Sequence, residues 1–297
     1  MRAVIKHWVL LSLAAACCYG PVARDVRADT FEAIQNRGKL IVGVKADVPL
    51  WGVLDKVSGN IVGLEPDLAQ DLADQFGVKL ELKPLLSAER VSALEQRLVD
   101  VVIATFADTP DRQTQVTMVL PHYYETGFGL LTRRSEQLKQ WSDLYNRRVC
   151  SRRESFFNRA LAIKYGVDVI ALYSVDHAVA ALRDGRCVGL IFSDIAIQAM
   201  LQKPEWSTRY EAPLPSLYSA PWAIGLHRDE RDGRLYHAIS RAVVRWHRSG
   251  LLARLEDKWG IPRSNFVQQM EQRWKVPKTS PLYCGDSVTA STPAECL

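Results

Sequence analysis

The chain has 297 residues, 47% hydrophobic and 24% charged, which is enough apolar sequence for one large domain or two lobes with cores of their own. Its formal net charge of +5 gathers at the start, where Arg2, Lys6, Arg24 and Arg27 face only Asp25 within residues 1–28, so the remainder carries a net +2. A chain so balanced, with no Lys/Arg stripe interleaved with aromatics, argues against a nucleic-acid partner.

Arg2 and Lys6 precede an apolar run from Trp8 to Gly20, and Val26-Arg27-Ala28 places small residues at a cleavage site. Residues 1–28 therefore read as a secretory signal peptide whose apolar run is too short to span a bilayer, and no later segment approaches that length. The expected location is the periplasm. Leu13-Ala14-Ala15-Ala16 before Cys17 is an imperfect lipoprotein box, with its leucine one position early, and leaves a lipid anchor at Cys17 as the alternative.

Leu40-Ile41-Val42-Gly43-Val44 reads as the first strand. Leu64, Leu68, Leu72 and Phe76 then recur every four residues, the stripe of a helix over 66–76. Pro66 fits its first turn, where a missing N–H costs nothing, and Gly77 stops it. Val78, Leu80 and Leu82 alternate with Lys79, Glu81 and Lys83 as a strand over 78–82. A helix over 88–98 and a strand over 100–105 follow. Strands at 148–151, 169–173 and 187–192 repeat the logic, with helices near 155–165 and 176–184 between them. Pro221-Trp222-Ala223-Ile224-Gly225-Leu226 looks like a strand returning to the first unit, before helices near 232–248 and 250–258. Strands alternating with helices predict an α/β fold with a mostly parallel sheet covered on both faces. From residue 275 the composition shifts to Pro, Ser and Thr, which suggests a poorly packed tail.

Four cysteines follow the leader, and an even count in an oxidising compartment suggests two disulfides. Cys150 and Cys187 each open a predicted strand in the same unit, where neighbouring parallel strands could bring them together. Cys284 and Cys296 would close a small loop in the tail. Buried free thiols are the alternative. No Cys/His zinc spacing occurs, so no metal site is expected.

The motifs Val42-Gly43-Val44, Gly63-Leu64-Glu65-Pro66-Asp67-Leu68-Ala69 and Thr109-Pro110-Asp111-Arg112 together resemble those of the bacterial extracellular solute-binding proteins, family 3, which serve amino-acid ABC transporters. The resemblance continues through Pro121-His122-Tyr123-Tyr124, Leu182-Arg183-Asp184-Gly185-Arg186, Asp194, Gly250 and Lys258-Trp259-Gly260, and so covers about residues 30–270 in order. It implies a two-lobed type II periplasmic-binding-protein fold. Lobe 1 is then discontinuous, residues 29–124 and 221–274; lobe 2 is 125–220, the tail is 275–297, and two extended segments form the hinge.

The resemblance also implies a ligand site. Arg112, after a strand end and a Thr-Pro-Asp turn, would grip a carboxylate with its two-pronged guanidinium, at the sheet edge where α/β folds place ligands. Asp194, after the apolar strand Val188–Phe192, would pair with an α-ammonium from the other lobe; its plainer role is a helix N-cap. Thr105 and Ala107 occupy the strand-end turn, with Ala107 where a threonine is common. Ser155 matches a carboxylate-binding Ser/Thr, but Glu154 before it replaces the usual glycine. By their charge alone, Arg152 and Arg153, just before Glu154, would draw an acidic ligand, or else form a solvated basic turn. Asp47 lies in the loop where the family places an aromatic wall, and Trp51 either stacks on ligand or covers core. Tyr123 and Tyr124 are expected to pack at the hinge.

No G-x-S-x-G elbow, H-E-x-x-H, P-loop or dinucleotide-binding turn is present. The expectation is therefore a monomeric binding protein without catalytic residues or cofactor, which captures an amino acid or related carboxylate and delivers it to an ABC transporter permease. The alternatives are an accessory or sensor module of the same fold and a periplasmic dehydratase of the cyclohexadienyl type, with Glu154 as its general acid.

Overall fold

A computed structural model describes residues 29–153, 155, 157–288, 292, 293 and 296; the expected leader with Cys17, and Glu154, lie outside the described residues. Helix α1 (Thr30–Arg37), capped by Asp29, leads into β1 (Lys39–Val44). Three short strands, β2 (Asp47–Val48), β3 (Gly52–Leu54) and β4 (Ile61–Val62), form a small antiparallel sheet before α2 (Leu64–Phe76). The stripe behaves as its spacing predicts: Leu64, Leu68 and Leu72 are fully buried, each worth about 2 kcal/mol of apolar burial. Gly77 ends the helix in the left-handed conformation at φ 66°. Gly63 just before it has φ 148° and lies so close to the Trp51 carbonyl that a Cβ would come within 2.5 Å of the oxygen.

The chain continues through β5 (Lys79–Pro84), α3 (Arg90–Glu95), β6 (Val101–Ile103) and α4 (Pro110–Gln113). α3 is shorter than the expected helix over 88–98, because Arg97 turns into the left-handed region at φ 53°. Next comes β7 (Thr117–Arg133), a 17-residue strand that periodicity did not reveal. Then follow β8 (Arg148–Arg152), α5 (Phe157–Tyr165), β9 (Asp168–Leu172), α6 (Val175–Arg183), β10 (Gly189–Ser193), α7 (Asp194–Leu201), α8 (Pro204–Ser207), β11 (Tyr210–Glu211) and β12 (Leu217–Leu226). Helices α9 (Arg234–Ser249), α10 (Leu251–Trp259) and α11 (Asn265–Trp274) follow.

The main sheet runs β5-β1-β6-β12-β7-β10-β8-β9. β5, β1 and β6 are parallel to one another, as are β10, β8 and β9. Between these two triplets run β7 and β12, antiparallel to each other and to the strands they join. The fold is thus α/β with a mixed sheet and flanking helices. Among the described residues no helix is long and apolar enough to cross a membrane.

Cys150 and Cys187 form a disulfide, brought together by parallel β8 and β10 as the strand argument anticipated. Cys284 and Cys296 form the second. The tail differs from expectation, for it is docked and not loosely packed. Cys284, Val288 and Cys296 are buried with Val244, Met270 and Trp274, and the Val288 amide donates to Ser240 Oγ at 2.9 Å. Three prolines and a disulfide left its apolar contacts invisible to composition.

Candidate functional site

The carboxyl ends of β6 and β8 face a common cleft. Its walls are Val48 of β2 and Trp51 after it, Arg90 of α3, Thr105 and Ala107 after β6, and Arg112 of α4. Thr126 and Phe128 of β7, Arg152 of β8, Ser155, Phe157, Phe192, Ser193 and Trp222 of β12 complete it. The gap between the walls is narrow, about 40 Å³, room for roughly three waters at ~10–15 Å³ each.

Below the cleft floor, three groups lock one strained turn. Thr105 holds φ 46°, a left-handed conformation that β-branched residues avoid. Its amide donates to Glu65 Oε1 at 2.5 Å, and Tyr123 Oη donates to the same oxygen at 2.6 Å. Arg90, only 2% exposed, donates from Nη1 to the carbonyls of Ala104 (3.0 Å) and Thr105 (2.8 Å) and from Nε to that of Ser87 (2.9 Å). Burial raises the Glu65 carboxyl to about 7, against the pull of these donors. Burial also raises the Tyr123 hydroxyl and lowers the Arg90 guanidinium, and the charges of Arg112 and Arg152 push Arg90 further down.

Arg112 begins where the sequence places it. Thr109 Oγ1 caps α4, and Arg112 Nη1 donates to the Ala107 carbonyl at 2.7 Å. The guanidiniums of Arg90 and Arg112 each lie 5.0 Å from the Phe106 ring centroid. Arg152 comes from the other side of the sheet. Burial depresses its guanidinium, partly offset by the carboxylates of Asp47 and Glu65. Its Nε and Nη1 are shut off from solvent and have no hydrogen-bond partner. Three more polar atoms of the cleft wall share that state: Trp51 Nε1, Thr105 Oγ1 and Thr126 Oγ1.

Of the residues singled out in the sequence, Arg112, Thr105, Ala107, Ser155, Trp51 and Arg152 converge on the cleft. Trp51 is also fully buried, with its ring edge-on to Tyr124 (4.5 Å) and Trp222 (4.7 Å), so wall and core are one position. Asp47 is not in the wall; it pairs with buried Lys45 at 2.8 Å. The burial of Lys45, with the Arg152 charge beside it, lowers its ammonium to about 8. Asp194 stands one residue beyond the wall residue Ser193. Its carboxylate accepts the Ile195 amide at 2.7 Å and lies over Gly127, where a Cβ would come within 2.8 Å of Oδ2. Tyr123 and Tyr124 are fully buried in β7, with Tyr124 donating to Glu256 at 2.7 Å. Sequence reasoning missed Arg90, Thr126, Phe128, Phe192 and Trp222 as wall residues: Arg90 looked like helix surface, Phe192 and Trp222 like strand core, and Thr126 and Phe128 fell in no predicted element. Among the described residues no three His, Cys, Asp or Glu side chains gather where a metal ion could be held.

Residues 40–262 match the model of the bacterial extracellular solute-binding proteins, family 3. The ABC transporter glutamine-binding protein GlnH of Bacillus subtilis is 31% identical over 139 residues, 44% of this chain but only 50% of that protein. The arginine-binding extracellular protein ArtP of the same organism is 24% identical over 258 residues, 86% of this chain and 98% of the relative. An amino acid ABC transporter substrate-binding protein of Streptococcus pneumoniae, solved bound to L-arginine, superposes with a TM-score of 0.71 at 19% identity, covering 80% of this chain and 100% of the other, which establishes a shared fold. Similarity also reaches the membrane-bound lytic murein transglycosylase F of Actinobacillus succinogenes, 25% identical over 244 residues, 78% of this chain and 48% of that protein.

Proposed function

The chain belongs to the bacterial extracellular solute-binding proteins, family 3, and on that premise we propose that it captures an amino acid or related carboxylate in its cleft and delivers it to an ABC transporter permease. The protein works in the periplasm as a monomer, after loss of residues 1–28. Residues 29–124 with 221–274 move against residues 125–220, and β7 and β12 serve as the hinge. That division is supported by the sheet order, in which only these two long strands stand between the parallel triplets.

The observation that carries the reading is Arg112 in the wall of an aromatic-sided cleft, on the strand-end turn after β6. A guanidinium there binds a carboxylate through two parallel hydrogen bonds. Ser155 adds a hydroxyl from the opposite wall. Asp194, at the start of α7, receives an ammonium once the ligand draws its carboxylate from the Ile195 amide. The narrow gap admits water but not an amino acid, so the walls part for entry and close on the ligand, which stabilises the closed state by its differential contacts. Closure excludes water and strengthens each charge–charge contact.

Catalysis on the same fold would need an acid touching the ligand. Glu65, held near 7, bonds Thr105 and Tyr123 beneath the floor and is not a wall residue. Glu154, the acid that the sequence offers for such chemistry, lies outside the described residues, and binding without chemistry is the function proposed. A thermal-shift screen against amino acids, dicarboxylates and polyamines tests it. A ligand at a hundred times its Kd adds about 2.7 kcal/mol, a rise of roughly 5 °C for a chain of this size. The rise should vanish in Arg112→Ala. A folded protein silent to the whole panel would remove the receptor reading.

A further inference from the structure

The cleft is built from donors. Four cationic side chains gather there: the charges of Arg152 and Arg90 reach Lys45, and those of Arg112 and Arg152 reach Arg90. Among the described residues two carboxylates oppose them, Asp47 and Glu65. Asp47 ion-pairs with Lys45 at 2.8 Å, and Glu65 accepts two hydrogen bonds at Oε1 while its Oε2 has none; neither carboxylate is a wall residue, so neither reaches into the cleft to meet its donors. The cations have different occupations. Arg90 is bonded to three backbone carbonyls, and Arg112 bonds its own turn. Arg152 alone of the four has buried guanidinium nitrogens, Nε and Nη1, with no partner. Trp51 Nε1 and the hydroxyls of Thr105 and Thr126 stand unpaired in the same wall, and every one of them can donate. Buried donors without acceptors are costly, and buried like charges more so. A ligand that removes both costs brings acceptors and negative charge in excess of one carboxylate.

We propose that the cleft selects a small dianionic acid, with Arg112 taking one carboxylate and the Nε–Nη1 edge of Arg152 taking the other. This deepens the receptor reading and rests on it. The contrast with the arginine-binding relatives is direct: a cationic side chain would enter among three arginines of the wall, with Lys45 behind them. An ammonium on the ligand is a separate matter. Asp194 lies outside the wall, so amine-free dicarboxylates and acidic amino acids share the chemistry that Arg112 and Arg152 recognise.

Isothermal titration of the purified exported protein with L-glutamate, L-aspartate, glutarate, succinate, L-glutamine and L-arginine tests the inference. At least one diacid should bind ten or more times tighter than glutamine or arginine. Glutarate and succinate against glutamate and aspartate tell whether the ammonium contributes. Arg152→Gln should cost about 100-fold for the diacid and at least ten times less for glutamine, with Arg152→Lys between wild type and Arg152→Gln because an ammonium cannot fork. Circular dichroism of both variants separates loss of binding from loss of fold. Should glutamine or arginine bind as well as the diacids, or Arg152→Gln weaken all ligands alike, the inference falls while the receptor reading stands. Should nothing bind to a folded protein, both fall together.

Discussion

Arg90 and Arg152 are two arginines in the wall of one cleft, drawn from opposite sides of the sheet, and their surroundings treat them in opposite ways. Arg90 is 2% exposed and its guanidinium is tied to the carbonyls of Ser87, Ala104 and Thr105. Arg152 has two buried nitrogens that touch no acceptor. Both are depressed by burial, so the difference lies in satisfaction and not in depth. A buried cation with its donors satisfied is part of the scaffold; one with donors unsatisfied weakens the empty protein and is poised for an anion. The comparison separates structural from binding arginines where burial alone cannot.

The largest effect should come from the satisfied partner. Arg90→Met strands three carbonyls and releases the Thr105 turn, whose left-handed conformation is held from one side by Arg90 and from the other by Glu65. The expected loss is about 4 kcal/mol, a fall in Tm of roughly 10 °C. A melting curve within 2 °C of wild type would break the comparison at its root.

The carboxylate that both arginines face gives the next effect. The Glu65 carboxyl titrates at about 7 in the folded protein, above its ordinary 4.5. Below 4.5 it is protonated in both states and costs nothing. As pH rises from 4.5 to 7 the unfolded chain releases the proton while the native state keeps it, so stability falls, by about 3 kcal/mol in all. His247 has the opposite sign: burial lowers it to about 4 from 6.5, so its contribution is lost as pH falls through that range. The two slopes nearly cancel between 4.5 and 6.5. Glu65→Gln keeps an acceptor for Thr105 and Tyr123 and removes one slope. Its denaturant-derived stability should therefore rise steadily from pH 4 to 6.5 and then stay level. A Glu65→Gln profile parallel to wild type would show that Glu65 is ionised throughout.

Sequence alone located much of this. The four-residue stripe of α2, the Gly77 stop and the Thr-Pro-Asp-Arg turn were readable because each follows from local chemistry, and the disulfides were suggested by an even cysteine count and, for Cys150 and Cys187, by neighbouring strands. Arg112, Thr105, Ser155, Trp51 and Arg152, all singled out in the sequence, line one cleft. Arg90 was not readable, because an arginine in a short helix looks solvated until its carbonyl partners, 14 and 15 residues downstream, fold back over it. The length of β7 was hidden for another reason. Pro121 interrupts the apolar pattern, and the structure accommodates it where the β12 register slips between Trp222 and Ile224. The pairing of Asp47 with Lys45, and the turn of Asp194 onto its own helix, depend on side-chain geometry that spacing does not encode.

The smallest effect is the most telling, because its sign is unusual for a buried residue. Arg152→Met removes a charge that is desolvated and whose Nε and Nη1 are unbonded, and it replaces the stem with apolar atoms beside Phe157 and Phe192 in the same wall. The attraction of Asp47 and Glu65 is lost with the charge, but it is the smaller contribution to Arg152, behind burial. The ligand-free protein should gain about 1 kcal/mol, roughly 2 °C in Tm. That gain should reverse when a diacid is added, since only wild type then rises. Arg90→Met and Arg152→Met would thus move the melting temperature in opposite directions without ligand, from two arginines in one cleft. A loss of 2 kcal/mol or more in ligand-free Arg152→Met would mean that its nitrogens are satisfied in solution, and the distinction between the two arginines would collapse.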